Sequence, residues 1–379
     1  MSYTRYSRPF LLLLFVLGVL AFTWLPSRQE VAPQTSHWMD RVLTREFARF
    51  EKEEISQELL ETTWKKCRTI KEFRRYQIIQ SKVYGEEGRI KHLLEAVVRR
   101  YAVPDVDFIY YYEDRLKKSF FKRRQFREAL APIFVSAKHR SLDRVILFSD
   151  WLYDPTDPHN GWNKLIEVVN ENQNRWSWEE KIDRLIWRGS PFDGKHFGNY
   201  TFENWRDHPR GRLVSESKRY PESIDAAFSQ LPFHCLKLDA ARTEMEMGRP
   251  SFISPTDQLQ YKYQLLIDGV TCTFPGTHWK LLSGSVPFKQ ETADILYFFD
   301  ELIPWKHYIP VRADMSDLLK KIEWARANDE KAKEIAQRAR EFALTHLMPE
   351  HILEYCYKAL VKYASLQTFQ PTLEQAIAD

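Results

Sequence analysis

Residues 305–329, WKHYIPVRADMSDLLKKIEWARAND, constrain the fold more than any other stretch of this chain. Tyr308, Ile309, Pro310 and Val311 form a short apolar run. Asp314 to Asp317 then open a helix in which Leu318, Leu319, Ile322 and Ala325 recur at helical spacing. Asp314 reads as the N-cap, with Asp317 three residues on in the place of a capping-box acid. A strand that feeds a helix this closely is the repeating unit of an open α/β sheet, whose ligands bind beyond the carboxyl ends of the strands.

The same alternation recurs upstream. At 379 residues the chain exceeds what one hydrophobic core holds, so two lobes with a cleft between them are expected. Residues 27–88 read as a polar linker and a helical stem, charged and helical in spacing from Trp38 to about Arg75. Residues 89–177 form a first Rossmann-like lobe: a helix at Arg89–Tyr101, strands at Val106–Tyr112, Ile133–Ser136 and Val145–Ser149, and a helix at Asn163–Asn172. Residues 178–346 form a second such lobe, with strands at Leu185–Arg188, Gln264–Asp268, Val286–Phe288 and His307–Val311. Residues 347–379 are a C-terminal helix and tail.

The N-terminus differs in kind. Arg5 and Arg8 precede an apolar stretch from Phe10 to Leu25 with no small-residue cleavage site after it, so residues 1–26 read as an uncleaved signal anchor. With the arginines on the cytoplasmic side the large domain crosses the membrane, which predicts a single-pass protein facing the ER or Golgi lumen in a eukaryote. In a bacterium the expectation is an inner-membrane protein.

Lys plus Arg number 56 against 52 Asp plus Glu, a balance that excludes a nucleic-acid footprint. The four cysteines show neither a CxxC spacing nor a disulfide framework. Gly189, Gly194 and Lys195 stand at phosphate-loop spacing, but His196 replaces the hydroxyl residue that would hold magnesium. Asp105-Val106-Asp107 resembles a metal-chelating pair, yet it precedes a strand instead of following one and reads as turn chemistry.

The blocks TDQLQYKYQLLIDG, LLSGSVPFKQ, FFDELIPWKHYIPV and IEWARANDEKAKEIA, with DRLIWRGS followed by DHPRGRLV, resemble glycosyltransferase family 90. That group holds capsule-associated xylosyltransferases, Rumi-type protein O-glucosyltransferases and bacterial lipopolysaccharide-modifying proteins. The resemblance covers roughly residues 100–366. It implies a GT-B architecture, a UDP-sugar donor carrying glucose or xylose, inversion at the anomeric carbon and no metal or other cofactor. The acceptor it implies is a hydroxyl on a glycan, a lipid-linked glycan or a protein, with the N-terminal helix supplying a membrane contact.

Inversion needs a base that takes the acceptor proton while the hydroxyl attacks opposite the leaving nucleotide. The resemblance assigns that role to Asp114, directly after the strand that ends in Tyr112, with Glu113 as the alternative. It assigns the donor to Ser190 and Arg210, with Arg212 competing for the latter role. It also assigns the donor loop Val270, Thr271, Cys272, Thr273 and Phe274. Rumi-type members carry an Arg in this loop. Here the sequence reads Phe274-Pro275-Gly276-Thr277-His278-Trp279-Lys280, so Lys280 becomes the nearest cation. Trp151 falls where those members place an aromatic segment near the acceptor. The missing arginine motivates the competing expectation of a catalytically silent, membrane-anchored carbohydrate-binding or scaffold protein.

Overall fold

The computed structural model describes residues 37–114, 116, 118–123, 126, 130–149, 161–191, 201–230 and 240–372. The anchor segment 1–26, Trp151 and residues 192–200, with the rest of the phosphate-loop spacing, lie outside the described residues. Among the described residues no helix is long and apolar enough to cross a membrane.

The first part of the chain runs α1 (His37–Phe47), α2 (Gln57–Cys67), β1 (Phe73–Ile79), β2 (Lys82–Gly85), α3 (Arg89–Arg100) and β3 (Val106–Tyr111). It continues through β4 (Ile133–Val135), β5 (Lys138–His139), β6 (Val145–Leu147) and α4 (Trp162–Asn172). These strands build a five-stranded sheet in the order β2-β1-β3-β4-β6. Strands β3, β4 and β6 are parallel, while β1 is antiparallel to both its neighbours.

The stem expectation is corrected here. Two helices, not one continuous array, occupy its first part, and the hairpin β1–β2 that follows extends the first sheet. Its signal was hidden because Gln80 and Ser81, at φ 49° and 61°, make the left-handed turn without the Asn-Gly pair that usually marks one. Asp105 then accepts the Gln80 N–H at 2.7 Å, the turn role expected of it. Asp107 does something else: fully buried in β3, it holds Arg75 at 2.7 Å and Gln77 at 2.6 Å, bracing the hairpin.

The second part begins with β7 (Ile182–Gly189), α5 (Pro209–Arg219), β8 (Ile224–Phe228), α6 (Ala240–Met247), α7 (Pro255–Gln258), β9 (Tyr261–Leu266), α8 (Gly276–Leu282) and β10 (Val286–Gln290). It ends with β11 (Asp294–Ile295), β12 (Ile309–Val311), α9 (Leu318–Ala327), α10 (Asp329–His346) and α11 (Pro349–Ala364). Its sheet is parallel throughout, in the order β12-β10-β9-β7-β8. The near-continuous burial of β9 and β10 is what helices on both faces of a parallel sheet require. Each sheet has its own buried cluster, and α11 returns to pack Ile352, Tyr355, Leu360 and Tyr363 into the first.

The helix expected to open at Asp314 begins at Leu318 instead. Asp317 accepts the Arg312 N–H at 2.9 Å and Asp314 accepts the Ser316 N–H at 3.0 Å, so the two acids close a turn before the helix starts.

Candidate active site

The carboxyl ends of β7 and β9 meet at one side chain. Arg210 lies in the first turn of α5, where Pro209 supplies a φ already suited to a helix start. Its NH1 donates to the Ser190 carbonyl at 2.8 Å and Oγ at 3.3 Å. Its Nε donates to the Asp268 carbonyl at 3.0 Å and NH2 to that of Ile267 at 3.3 Å, with the guanidinium 5.6 Å from the Trp187 ring centre. Ser190 and Arg210 are thus brought together, but the arginine fork chiefly fastens two strand ends to each other. Arg188 pairs with Asp225 at 2.7 Å and braces β7 to β8, and Arg212 donates to the Asp314 carbonyl at 2.8 Å.

The clamp depends on Gly211. A Cβ there would lie 1.7 Å from the Trp205 carbonyl oxygen, so α5 can approach this close only with no side chain at that position. Gly211→Ala is expected to cost about 1–3 kcal/mol and to displace Arg210. Thermal unfolding checks the first effect, and a melting temperature equal to the parent's refutes it.

The segment after β9 turns its side chains mostly inward. Thr271 and Cys272 are buried, Thr273 Oγ1 donates to the Ile267 carbonyl at 2.7 Å, Phe274 packs on the first cluster, and Val270 is exposed. Burial pushes the Cys272 thiol well up, so it carries no charge. Among the described residues none of the N–H groups from Val270 to Phe274 donates to a backbone carbonyl. A run of such groups at a strand end is suited to an anion.

Lys280 does not supply the expected surface cation. It is buried in α8, all seven of whose residues are buried, and its Nζ donates to the Leu265 carbonyl at 2.8 Å. Burial, aided by the charge of Arg210, lowers its pKa to about 7. The short helix faces inward on every side, so position 280 never reaches the loop surface.

A cation that sequence reasoning passed over stands two strands away. Gln290 accepts the Asp268 N–H at 3.0 Å and donates to the Ala313 carbonyl at 2.6 Å, tying the ends of β9, β10 and β12 into one rung. Arg312 follows the Gln290–Val311 register pair directly and is exposed. Its side chain has no partner among the described residues. At about 4.8 Å per strand its backbone lies on the order of 10 Å from that of Asp268, within reach of a long side chain. Asp268 itself keeps a buried oxygen, Oδ2, with no partner among the described residues, and burial raises its pKa against the opposing charge of Lys289.

In the first sheet, Asp114 follows the carboxyl end of β3 and is half-buried, whereas Glu113 is exposed. Burial raises the Asp114 pKa above the usual aspartate value. Among the described residues no group of three His, Cys, Asp or Glu side chains is arranged to hold a metal ion.

Comparison with known proteins gives a family model, Glycosyl transferase family 90, matching residues 30–379. Protein O-glucosyltransferase 2 of Danio rerio is 29% identical over 303 residues, 78% of this chain and 55% of that protein. Protein O-glucosyltransferase 3 of Homo sapiens is 32% identical over 201 residues, 53% of this chain and 36% of that protein. Protein O-glucosyltransferase 1 of Rattus norvegicus is 26% identical over 318 residues, 78% of this chain and 73% of that protein. The chain spans about half the length of the first of these relatives. The crystal structure of Anabaena HepE in complex with UDP-glucose overlaps with a TM-score of 0.38 at 8% identity, over 73% of this chain and 76% of that one. A likeness so slight carries no argument about this chain.

Proposed function

Because the chain belongs to glycosyl transferase family 90, we propose that it moves a sugar from a UDP-sugar to an acceptor hydroxyl with inversion at the anomeric carbon. The observation that carries the reading is the family match over residues 30–379, which spans both sheets and every residue gathered at their carboxyl ends. In this reading the two sheets are the lobes of a GT-B fold. The donor lies against Ser190, Arg210 and the 269–274 loop, and Asp114 faces the acceptor from the other lobe. The developing charge on UDP meets backbone N–H groups and arginine, without a metal.

Glucose is the first sugar proposed and xylose the second, since the named relatives are O-glucosyltransferases. Those names favour a protein acceptor; a glycan or lipid-linked glycan, as in lipopolysaccharide, is the alternative. Residues 1–26 are proposed to hold the enzyme to a membrane as a single-pass anchor. The test is UDP release from a panel of UDP-sugars in the presence of peptide and glycan acceptors. The inward turn of Lys280 favours one competing reading, a silent sugar-binding protein. UDP binding without release from any donor would establish that reading instead.

Arg312 is proposed to take the place of the missing loop arginine on the diphosphate. Arg312→Gln is then expected to weaken UDP binding by about 10–100-fold, the equivalent of the roughly 1.5–3 kcal/mol of a hydrogen bond to a charged group, and to leave uridine binding unchanged. Titration calorimetry with both ligands checks this. Equal weakening of UDP and uridine would remove Arg312 from the phosphates.

A further inference from the structure

A second pocket lies at the opposite edge of the parallel sheet. Trp305 precedes β12, Trp324 is in the last turn of α9, and α10 starts at Asp329, so all three stand at the amino ends of the strands, away from Arg210 and Asp268. The pocket has a volume of ≈ 540 Å³ and is lined by Trp305, Trp324, Lys331, Glu334, Ile335 and Arg338. This is within the roughly 300–1,000 Å³ of small-ligand sites. The four residues from α10 recur at i, i+3, i+4 and i+7, one stripe of the helix, with Ile335 buried as the floor and Glu334 paired with Arg338 at 3.2 Å.

Trp305 is the unusual member. It is 41% exposed, and its φ of 64° is one that a bulky residue rarely adopts. The turn is fixed by Trp305 N–H on the Tyr308 carbonyl at 2.7 Å, by His307 N–H on that of Ile303 at 2.9 Å, and by Ile303 N–H on His307 Nδ1 at 3.0 Å. The indole meets Trp324 nearly edge-on at 4.7 Å, and Lys321 Nζ lies 4.5 Å from its ring centre. Burial does not account for a strained backbone that presents an indole to solvent; such strain gathers at ligand sites.

We propose that this pocket binds a pyranose unit of a glycan, as a second saccharide site remote from the place of sugar transfer. A pyranose offers a flat C–H face to an indole and hydroxyls to a carboxylate–guanidinium pair, and the lining supplies both. A protein partner fits less well. A standard interface needs about 800 Å² per partner and a core depleted in Lys and Glu, whereas Lys331 and Glu334 stand in the pocket itself. The choice of a glycan as occupant rests on the reading of the chain as a glycosyltransferase.

The test is calorimetric titration of the full chain with maltotetraose, cellotetraose and tetragalacturonate, beside UDP release measured on the same preparations. Trp305→Gly removes the ring while suiting the left-handed backbone, so the variant folds without the strain. It is expected to bind the tetrasaccharide about tenfold or more weakly with UDP release unchanged. Arg338→Gln, which leaves the turn intact, is expected to weaken binding severalfold. No heat with any of the three sugars from a chain that still releases UDP would overturn the inference alone. So would affinity unchanged in Trp305→Gly, or self-association of the parent that this substitution abolishes. Absent UDP release with intact tetrasaccharide binding would instead end the enzyme reading and leave the pocket standing.

Discussion

Asp114→Asn is expected to lower the rate of sugar transfer by about 10²–10⁴-fold, the contribution of a positioned general base, while UDP still binds. Asparagine keeps the shape of the side chain but cannot accept the acceptor's proton. The pH dependence gives a second reading of the same group. Burial disfavours the carboxylate, so Asp114 ionises at a higher pH than an ordinary aspartate, whose pKa is about 3.9. Transfer in the parent should therefore rise with pH through an inflection above that value, and the variant should lose the inflection. Stability moves the other way. A raised pKa means that the protonated form suits the fold, so this contribution is full at low pH and is lost as pH rises through the folded pKa. At pH 7 the neutral asparagine should leave the melting temperature equal to or slightly above the parent's. A variant that is fully active would pass the role of base to Glu113; one that is inactive because it is unfolded would show a lowered melting temperature.

What the sequence made legible follows from how locally each signal is encoded. The strands of the second sheet are short apolar runs buried on both faces, and their positions are readable within a few residues, from Leu185 in β7 to Val311 in β12. The β1–β2 hairpin was not readable. Arg74 and Arg75 interrupt its alternation, and Arg75 is accommodated only because Asp107, thirty-two residues on, supplies its counter-charge. Lys280 failed for a related reason. Its spacing after the donor loop is correct, but nothing local says that α8 is buried on every side. Arg312 lies inside the most informative block of the chain and still went unnoticed. Its significance comes from the Gln290 rung joining three strand ends, a relation visible only once the sheet order is known.

Glu46 is where loss of one side chain should cost the fold most. It comes from α1, in the stretch that reads as a stem, yet it is buried against the first sheet. Its Oε2 holds Lys138 Nζ at 2.6 Å and accepts the Leu147 N–H at 3.0 Å, while Lys138 also donates to the Val145 carbonyl at 3.2 Å. Glu46→Ala would leave a buried ammonium and a buried N–H without their acceptor, at a cost of about 3–5 kcal/mol. That is a large fraction of the roughly 5–15 kcal/mol that holds a typical protein folded. Urea unfolding measures it. Glu46→Gln, which keeps an acceptor oxygen for Leu147, should lie between the alanine variant and the parent. Glu46→Leu combined with Lys138→Met should recover much of the loss, because replacing both members of a buried pair by apolar groups is often neutral. A cost below about 1 kcal/mol for Glu46→Ala, the level of a surface ion pair, would mean that α1 adds little to the first core. The helix would then be the stem that its charged sequence suggests. A cost in the expected range makes it part of the platform from which β3 presents Asp114.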